Sequence, residues 1–168
     1  MCIRDSRNLY RLVSISHLKY IYRGRPRIPR AILNEYREGL ILGSACEAGE
    51  LIRSMVQKKL PYEELKRIAS WYDYLEIQPI SNNGFLVREG LVKDEEGLRN
   101  INRTVLKIGD ELGKLTVATG DAHFLNPEDK IYREILMTGK GFEDAQYCLL
   151  YTSPSPRDLS TSRMPSSA

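Results

Sequence analysis

The sequence predicts an α/β fold in which parallel strands alternate with helices, and three observations predict it. Short apolar or β-branched runs recur at residues 40–42, 74–77 and 115–119. The stretches between them repeat apolar residues at intervals of three and four, the period of a helix with one buried face. Strands separated by helices imply βαβ crossovers rather than hairpins. Three strands are too few to close a barrel, so the chain is expected to form part of a larger α/β layer, with further strands upstream.

Each element has its own signal. Leu9, Leu12, Val13, Ser16, His17 and Tyr20 fall on one helical face, which predicts a first amphipathic helix ended by Gly24 and Pro26. In residues 27–39, Pro29 suits the first turn of a short helix and Gly39 its C-terminal cap. Leu40, Ile41 and Leu42 form a continuous apolar run, the mark of a buried strand. Residues 47–58 and 62–71 read as helices, and residues 74–77 as the second strand. The clearest helix covers residues 94–112, where Leu98, Ile101, Val105, Ile108 and Leu112 make one stripe. Asp94, Glu95 and Glu96 crowd its first turn, where the helix dipole favours negative charge, and Gly113 stops it. The third strand, residues 115–119, is rich in β-branched side chains. Asn126 is placed to cap a last helix reaching about Thr138, with Pro127 in its first turn.

Bulk properties narrow the setting. A length of 168 residues allows one domain, and 42% hydrophobic residues is ordinary for a globular core. The net charge of +3 permits nucleic-acid contact without demanding it, both signs being interspersed along most of the chain. No apolar run approaches the roughly 20 residues that span a bilayer, and no secretory leader is recognisable. The 3 cysteines, Cys2, Cys46 and Cys148, have no framework spacing, which fits a reducing cytoplasm. Residues 1–6 and 148–168 differ in character from the rest. The second of these is Ser-, Pro- and Thr-rich, without periodicity, and is expected to be disordered. Both resemble translated adapter sequence more than evolved protein, which leaves residues 7–147 as the folding part.

Reactive groups of parallel α/β barrels gather at the C-terminal ends of strands. Two predicted strand ends carry suitable side chains. After residues 40–42 comes Gly43-Ser-Ala-Cys-Glu-Ala-Gly-Glu50, whose glycines permit unusual backbone geometry and whose Cys46 offers a soft ligand. After residues 115–119 come Asp121 and His123, two apart and so able to face one metal cluster. A small apolar filler is the alternative for Cys46, and a chance spacing for Asp121 and His123. His17, on an apolar helix face, is expected to be packed and hydrogen-bonded rather than catalytic. Glu76 is expected in an ion pair or behind a ligand. Lys19, Arg23, Arg25, Arg27 and Arg30, interleaved with Tyr20 and Tyr22, could contact phosphates, stack on bases, or dock on a neighbouring domain.

Several blocks, in order and covering most of residues 7–147, carry a family resemblance. They are Leu12-Val-Ser-Ile-Ser-His-Leu-Lys-Tyr-Ile-Tyr-Arg23, Arg25-Pro-Arg-Ile-Pro-Arg30, Tyr36-Arg-Glu-Gly-Leu-Ile-Leu-Gly-Ser-Ala-Cys-Glu-Ala-Gly-Glu50, Tyr72-Asp-Tyr-Leu-Glu-Ile-Gln-Pro79 and Val117-Ala-Thr-Gly-Asp-Ala-His-Phe-Leu-Asn-Pro-Glu-Asp129. Together they resemble the alpha subunits of PolC-type bacterial replicative DNA polymerases. Residues 82–89 match loosely and read as a variable loop. The resemblance implies the later part of a PHP (polymerase and histidinol phosphatase) domain, a distorted (β/α)7 barrel interrupted in this family by a 3′–5′ exonuclease. It also implies Cys46, Asp121 and His123 as metal ligands, completed by groups upstream of Arg7, with Zn or Mn as the ion.

The implied parent is a DNA-directed DNA polymerase using Mg, with DNA, the exonuclease and polymerase domains and the sliding clamp as partners. No membrane is implied. This region would be a scaffold that does not polymerise DNA alone. The competing readings are a free-standing PHP phosphoesterase, whose metals would activate water, and a non-enzymatic nucleic-acid binder. A chain carrying only part of a barrel is expected to be marginally stable and prone to aggregate.

Overall fold

A computed structural model of the chain describes residues 3–120, 122 and 125–139. It comprises two units, Met1–Leu42 and Gly43–Ala168.

In the first unit, α1 (Ile3–Lys19) leads into a hairpin of β1 (Ile21–Tyr22) and β2 (Arg25–Pro26), followed by α2 (Arg30–Glu35). The hairpin corrects the expectation of parallel strands alone. Its strands are antiparallel, with Ile21 opposite Pro26 and Tyr22 opposite Arg25. Arg23 and Gly24 both adopt positive φ, 50° and 74°, as a tight two-residue hairpin turn requires. Along α1 only Leu12 and Ser16 of the expected stripe are buried, at 2% and 4% exposure. Leu9 and Val13 stay about half exposed, and His17 is exposed. A 17-residue helix presents more apolar surface than a hairpin of two-residue strands and a 6-residue helix can cover.

Pro29 is the N-cap residue of α2, one position before the first turn in which it was expected, and the helix ends at Glu35, short of Gly39. Gly39, at φ 79°, serves a separate turn closed by Leu40 N–H to the Arg37 carbonyl at 2.9 Å. The expected strand at residues 40–42 is absent: no ladder forms there, and Ile41 is 79% exposed. Pairing starts one residue later, as a single parallel bridge between Gly43 and Tyr74.

The second unit holds the core. Its elements are α3 (Glu50–Val56), α4 (Tyr62–Ala69), β3 (Leu75–Ile77), a 3-10 turn (Ile80–Asn83), α5 (Phe85–Arg88), α6 (Glu95–Leu112), β4 (Thr116–Ala118), a second 3-10 turn (Pro127–Asp129) and α7 (Lys130–Gly139). The helix expected from residue 47 starts at Glu50, because residues 46–49 make a turn closed by Gly49 N–H to the Cys46 carbonyl at 2.8 Å. Residues 82–89 are not a plain loop. The 3-10 turn and α5 bury Asn82, Asn83 and Leu86.

α6 forms where its stripe predicts, burying Leu98, Ile101, Val105, Ile108 and Gly109. The Asp94 carboxylate accepts from Gly97 N–H at 2.9 Å and caps its start. Gly113, in the left-handed region, ends it. Each fully buried Leu, Val or Ile on this face contributes about 1.5–3 kcal/mol. The stripe meets Leu51, Leu65, Ile68 and Leu75 in one core.

β3 and β4 pair in parallel, Leu75 opposite Thr116 and Ile77 opposite Ala118, with α6 as the crossover. This is the expected βαβ unit. The described strands form one antiparallel and one parallel two-stranded sheet, and no closed sheet occurs among the described residues. At the start of α7 the expected cap is reversed: the Asp129 carboxylate accepts from Asn126 N–H and Nδ2, at 3.1 and 3.2 Å.

Candidate functional site

The second unit's short parallel segments bring residues 43–46 beside β3, and β3 beside β4. Ser44 fastens the first contact. Its N–H donates to the Tyr74 carbonyl at 3.2 Å, and its Oγ, buried at 1% exposure, accepts from Glu76 N–H at 2.9 Å. The next residue, Ala45, sits at φ 62°, a conformation that L-residues resist by about 1–2 kcal/mol. Strain is thus stored beside Cys46. Gly43 and Gly49 serve close approach rather than unusual φ. A Cβ on Gly49 would stand 2.3 Å from the Ser44 carbonyl oxygen, and one on Gly43 2.6 Å from Glu76 Oε1.

Along β3 the two-residue period puts Tyr74, Glu76 and Gln78 on one face and Leu75 and Ile77 on the other. Thr119 Oγ1 donates to Glu76 Oε2 at 3.3 Å. Partial burial first, then the Glu76 charge and hydrogen bond, raise the Tyr74 hydroxyl above the usual tyrosine range. Past the strand end lies a crevice of about 10 Å³, lined by Cys46, Glu47, Glu76, Gln78, Asn83 and Asn102, with room for about one water. Asn102 Nδ2 donates to the Gln78 carbonyl at 2.8 Å. Gln78 Oε1 and Asn83 Oδ1 are buried without a hydrogen-bond partner in the structure. Asn82 Nδ2 donates to the Gly120 carbonyl at 3.1 Å, pinning the segment that leads to residue 121.

Of the residues expected at a metal site, Cys46 and Glu76 line this one crevice; Cys46 is half-buried and not in a disulfide. Asp121 and His123 lie outside the described residues. Among the described residues no three His, Cys, Asp or Glu converge, so these alone do not fit a metal centre. Sequence reasoning missed Ser44, Gln78, Asn83, Asn102 and Thr119, whose polar side chains carry no spacing signal. His17 is hydrogen-bonded as expected, with Nδ1 2.9 Å from the Val13 carbonyl oxygen, but it is exposed rather than packed.

In the first unit, Lys19, Arg23, Arg25, Arg27 and Arg30 are all exposed. The Arg23 and Arg27 guanidiniums lie over the Tyr22 ring, 5.3 and 4.8 Å from its centroid. No helix among the described residues is long and apolar enough to cross a membrane.

Residues 4–80 match the PHP domain family. The PolC-type DNA polymerase III of Clostridium perfringens is 58% identical over 139 residues, 83% of this chain and 10% of that protein. Its Bacillus subtilis counterpart is 51% identical over 135 residues, and that of Listeria monocytogenes 43%, each covering 80% of this chain and 9% of the relative. The chain spans about a tenth of the length of the curated relatives it matches.

Proposed function

We propose that this chain, a PHP-domain relative of PolC-type DNA polymerase III, is part of a DNA-directed DNA polymerase and serves it as a metal-binding scaffold. The observation that carries the reading is the identity, 58% over 83% of the chain, joined to a thiol and a carboxylate at the end of a parallel strand. The same extent of match favours this reading over a free-standing phosphoesterase. The β3–β4 pair would be two neighbouring strands of a distorted (β/α)7 barrel. The PHP portion would run to residue 147, with residues 148–168 outside it; the family match begins at residue 4 rather than at the expected residue 7.

Cys46, Asp121 and His123 would hold the ion, Zn or Mn, with Glu76 behind them. Asn82 supports this by holding Gly120, the residue before Asp121, beyond the strand that pairs with β3. A thiolate and an imidazole suit a borderline-soft ion. Such an ion would cross-link two loops and stabilise the fold that binds it. Polymerisation, with Mg, would belong to other domains. DNA, those domains, the exonuclease and the sliding clamp would be the partners, in the cytoplasm.

The test is metal content, by plasma mass spectrometry, of the complete protein containing this sequence and of its C46A and D121A/H123A variants. Both variants should lose bound Zn or Mn. Unchanged metal content would remove the ligand role.

A further inference from the structure

The two units differ in charge more than the mild overall balance implies. Residues 1–42 contain nine Lys or Arg and three Asp or Glu, a formal +6, whereas residues 43–168 contain sixteen and nineteen, a formal −3. Residues 6–34 hold seven basic residues and no acidic one. The concentration peaks at the β1–β2 hairpin, where Lys19, Arg23, Arg25 and Arg27 are exposed and form no ion pair with a described carboxylate.

We propose that this hairpin binds the phosphate backbone of nucleic acid, without reading its bases. Arg23 stands at the turn, and Arg25 and Arg27, two residues apart in extended chain, project to one side. The Arg23 and Arg27 guanidiniums lie over the Tyr22 ring, which leaves less of it for a base to stack on. A guanidinium stacked on a ring keeps its in-plane N–H edge, the fork that suits phosphate oxygens. A groove of about 590 Å³ runs beside the hairpin, its floor set by Ile21, Ile28 and Pro29 and its charge by Lys19 and Arg27, and it is large enough for a sugar–phosphate segment. The proposal deepens the polymerase reading by naming a contact. It does not depend on metal ligation, so the metal analysis can fail while this test succeeds, and the reverse.

The experiment is fluorescence anisotropy of the full 168-residue chain with labelled oligothymidylate and with a duplex, across a salt series. Binding should be tighter at low salt, with R23Q/R25Q/R27Q weakening it by about tenfold and lowering the salt slope by about 2 on the single strand. K58Q/K59Q, at exposed positions of the acidic unit, should leave both unchanged. Y22L should cost less than the triple substitution and leave the slope in place. A second measurement needs no substitution: the oligonucleotide should slow tryptic cleavage after Arg23 and Arg27 relative to Lys58 and Lys59. Absent binding, an unaltered slope in the triple variant or equal cleavage with and without oligonucleotide would overturn the proposal. So would a Y22L loss matching the triple, which would mean base stacking, or binding to phosphatidylglycerol vesicles in preference to the oligonucleotide.

Discussion

At the scale of single residues, the loop that carries Cys46 depends on what Gly49 lacks. Its backbone, φ −67° and ψ 159°, is open to any residue, so the constraint is contact rather than conformation. An added methyl would meet the backbone oxygens of Ser44 and Cys46 at 2.3 and 2.9 Å, and backbone cannot swing aside as a side chain can. Gly49→Ala should therefore destabilise the chain by about 1–3 kcal/mol in urea unfolding. In a C2S/C148S background it should also speed modification of the Cys46 thiol; an unchanged urea midpoint and labelling rate would disprove this account. The sequence marked Cys46 as following a predicted strand and Glu76 as standing in another, behind a ligand or in an ion pair; that both line one crevice came from the structure. The sequence did not show Ala45 at positive φ, since alanine carries no mark of that conformation. Nor did it distinguish Gly49 as a contact glycine from a conformational one.

At the scale of elements, amphipathic period made α4 and α6 legible, and β3 and β4 were legible as short apolar runs. The β1–β2 hairpin was not, because two-residue strands are too short to show a period and its turn is Arg-Gly rather than Asn-Gly. The segment 82–89 was misread for a related reason. Asn82 and Asn83 signal a surface loop on average, yet here they are buried, and Asn82 is bonded to a neighbouring strand end. Gly109 gives the element-level test. Alanine is the better helix former by about 1 kcal/mol, yet a Cβ at this position would lie 2.2 Å from Thr116 Oγ1, on the strand that α6 covers. Gly109→Ala should destabilise the native chain and become neutral or stabilising in a Thr116→Ala background. Thr116 Oγ1 is buried without a partner, so its removal sacrifices no hydrogen bond. A double-mutant cycle by urea unfolding measures the change of sign, and additive effects would refute it.

At the scale of the whole molecule, the barrel suggested by family resemblance is represented among the described residues by one parallel pair and one added bridge. Strand count alone had already excluded closure. Stability should vary with pH through exposed ion pairs. The Lys66 and Tyr62 hydrogen bonds hold Glu111 below the usual glutamate range, and Arg103, then Arg99, do the same for Glu96. Stability from these carboxylates is present above their unfolded-state values and is lost as pH falls through the lower folded ones. Lys66 is raised by its hydrogen bond to Glu111, and Tyr62 by desolvation and then Glu111. Their contributions are present below the ordinary Lys and Tyr values and are lost as pH rises through the folded ones. The urea midpoint should therefore be flat near neutrality and fall toward both extremes, with Glu111→Gln flattening both sides. A midpoint indifferent to pH in the acid range would refute this. Finally, α7 leaves Ile131, Tyr132, Ile135 and Leu136 more than half exposed along one side. Inside a cell, chaperones and proteases recognise such a stripe as the mark of incomplete folding. Made alone, the chain would be held or degraded, and its abundance set by clearance more than by synthesis.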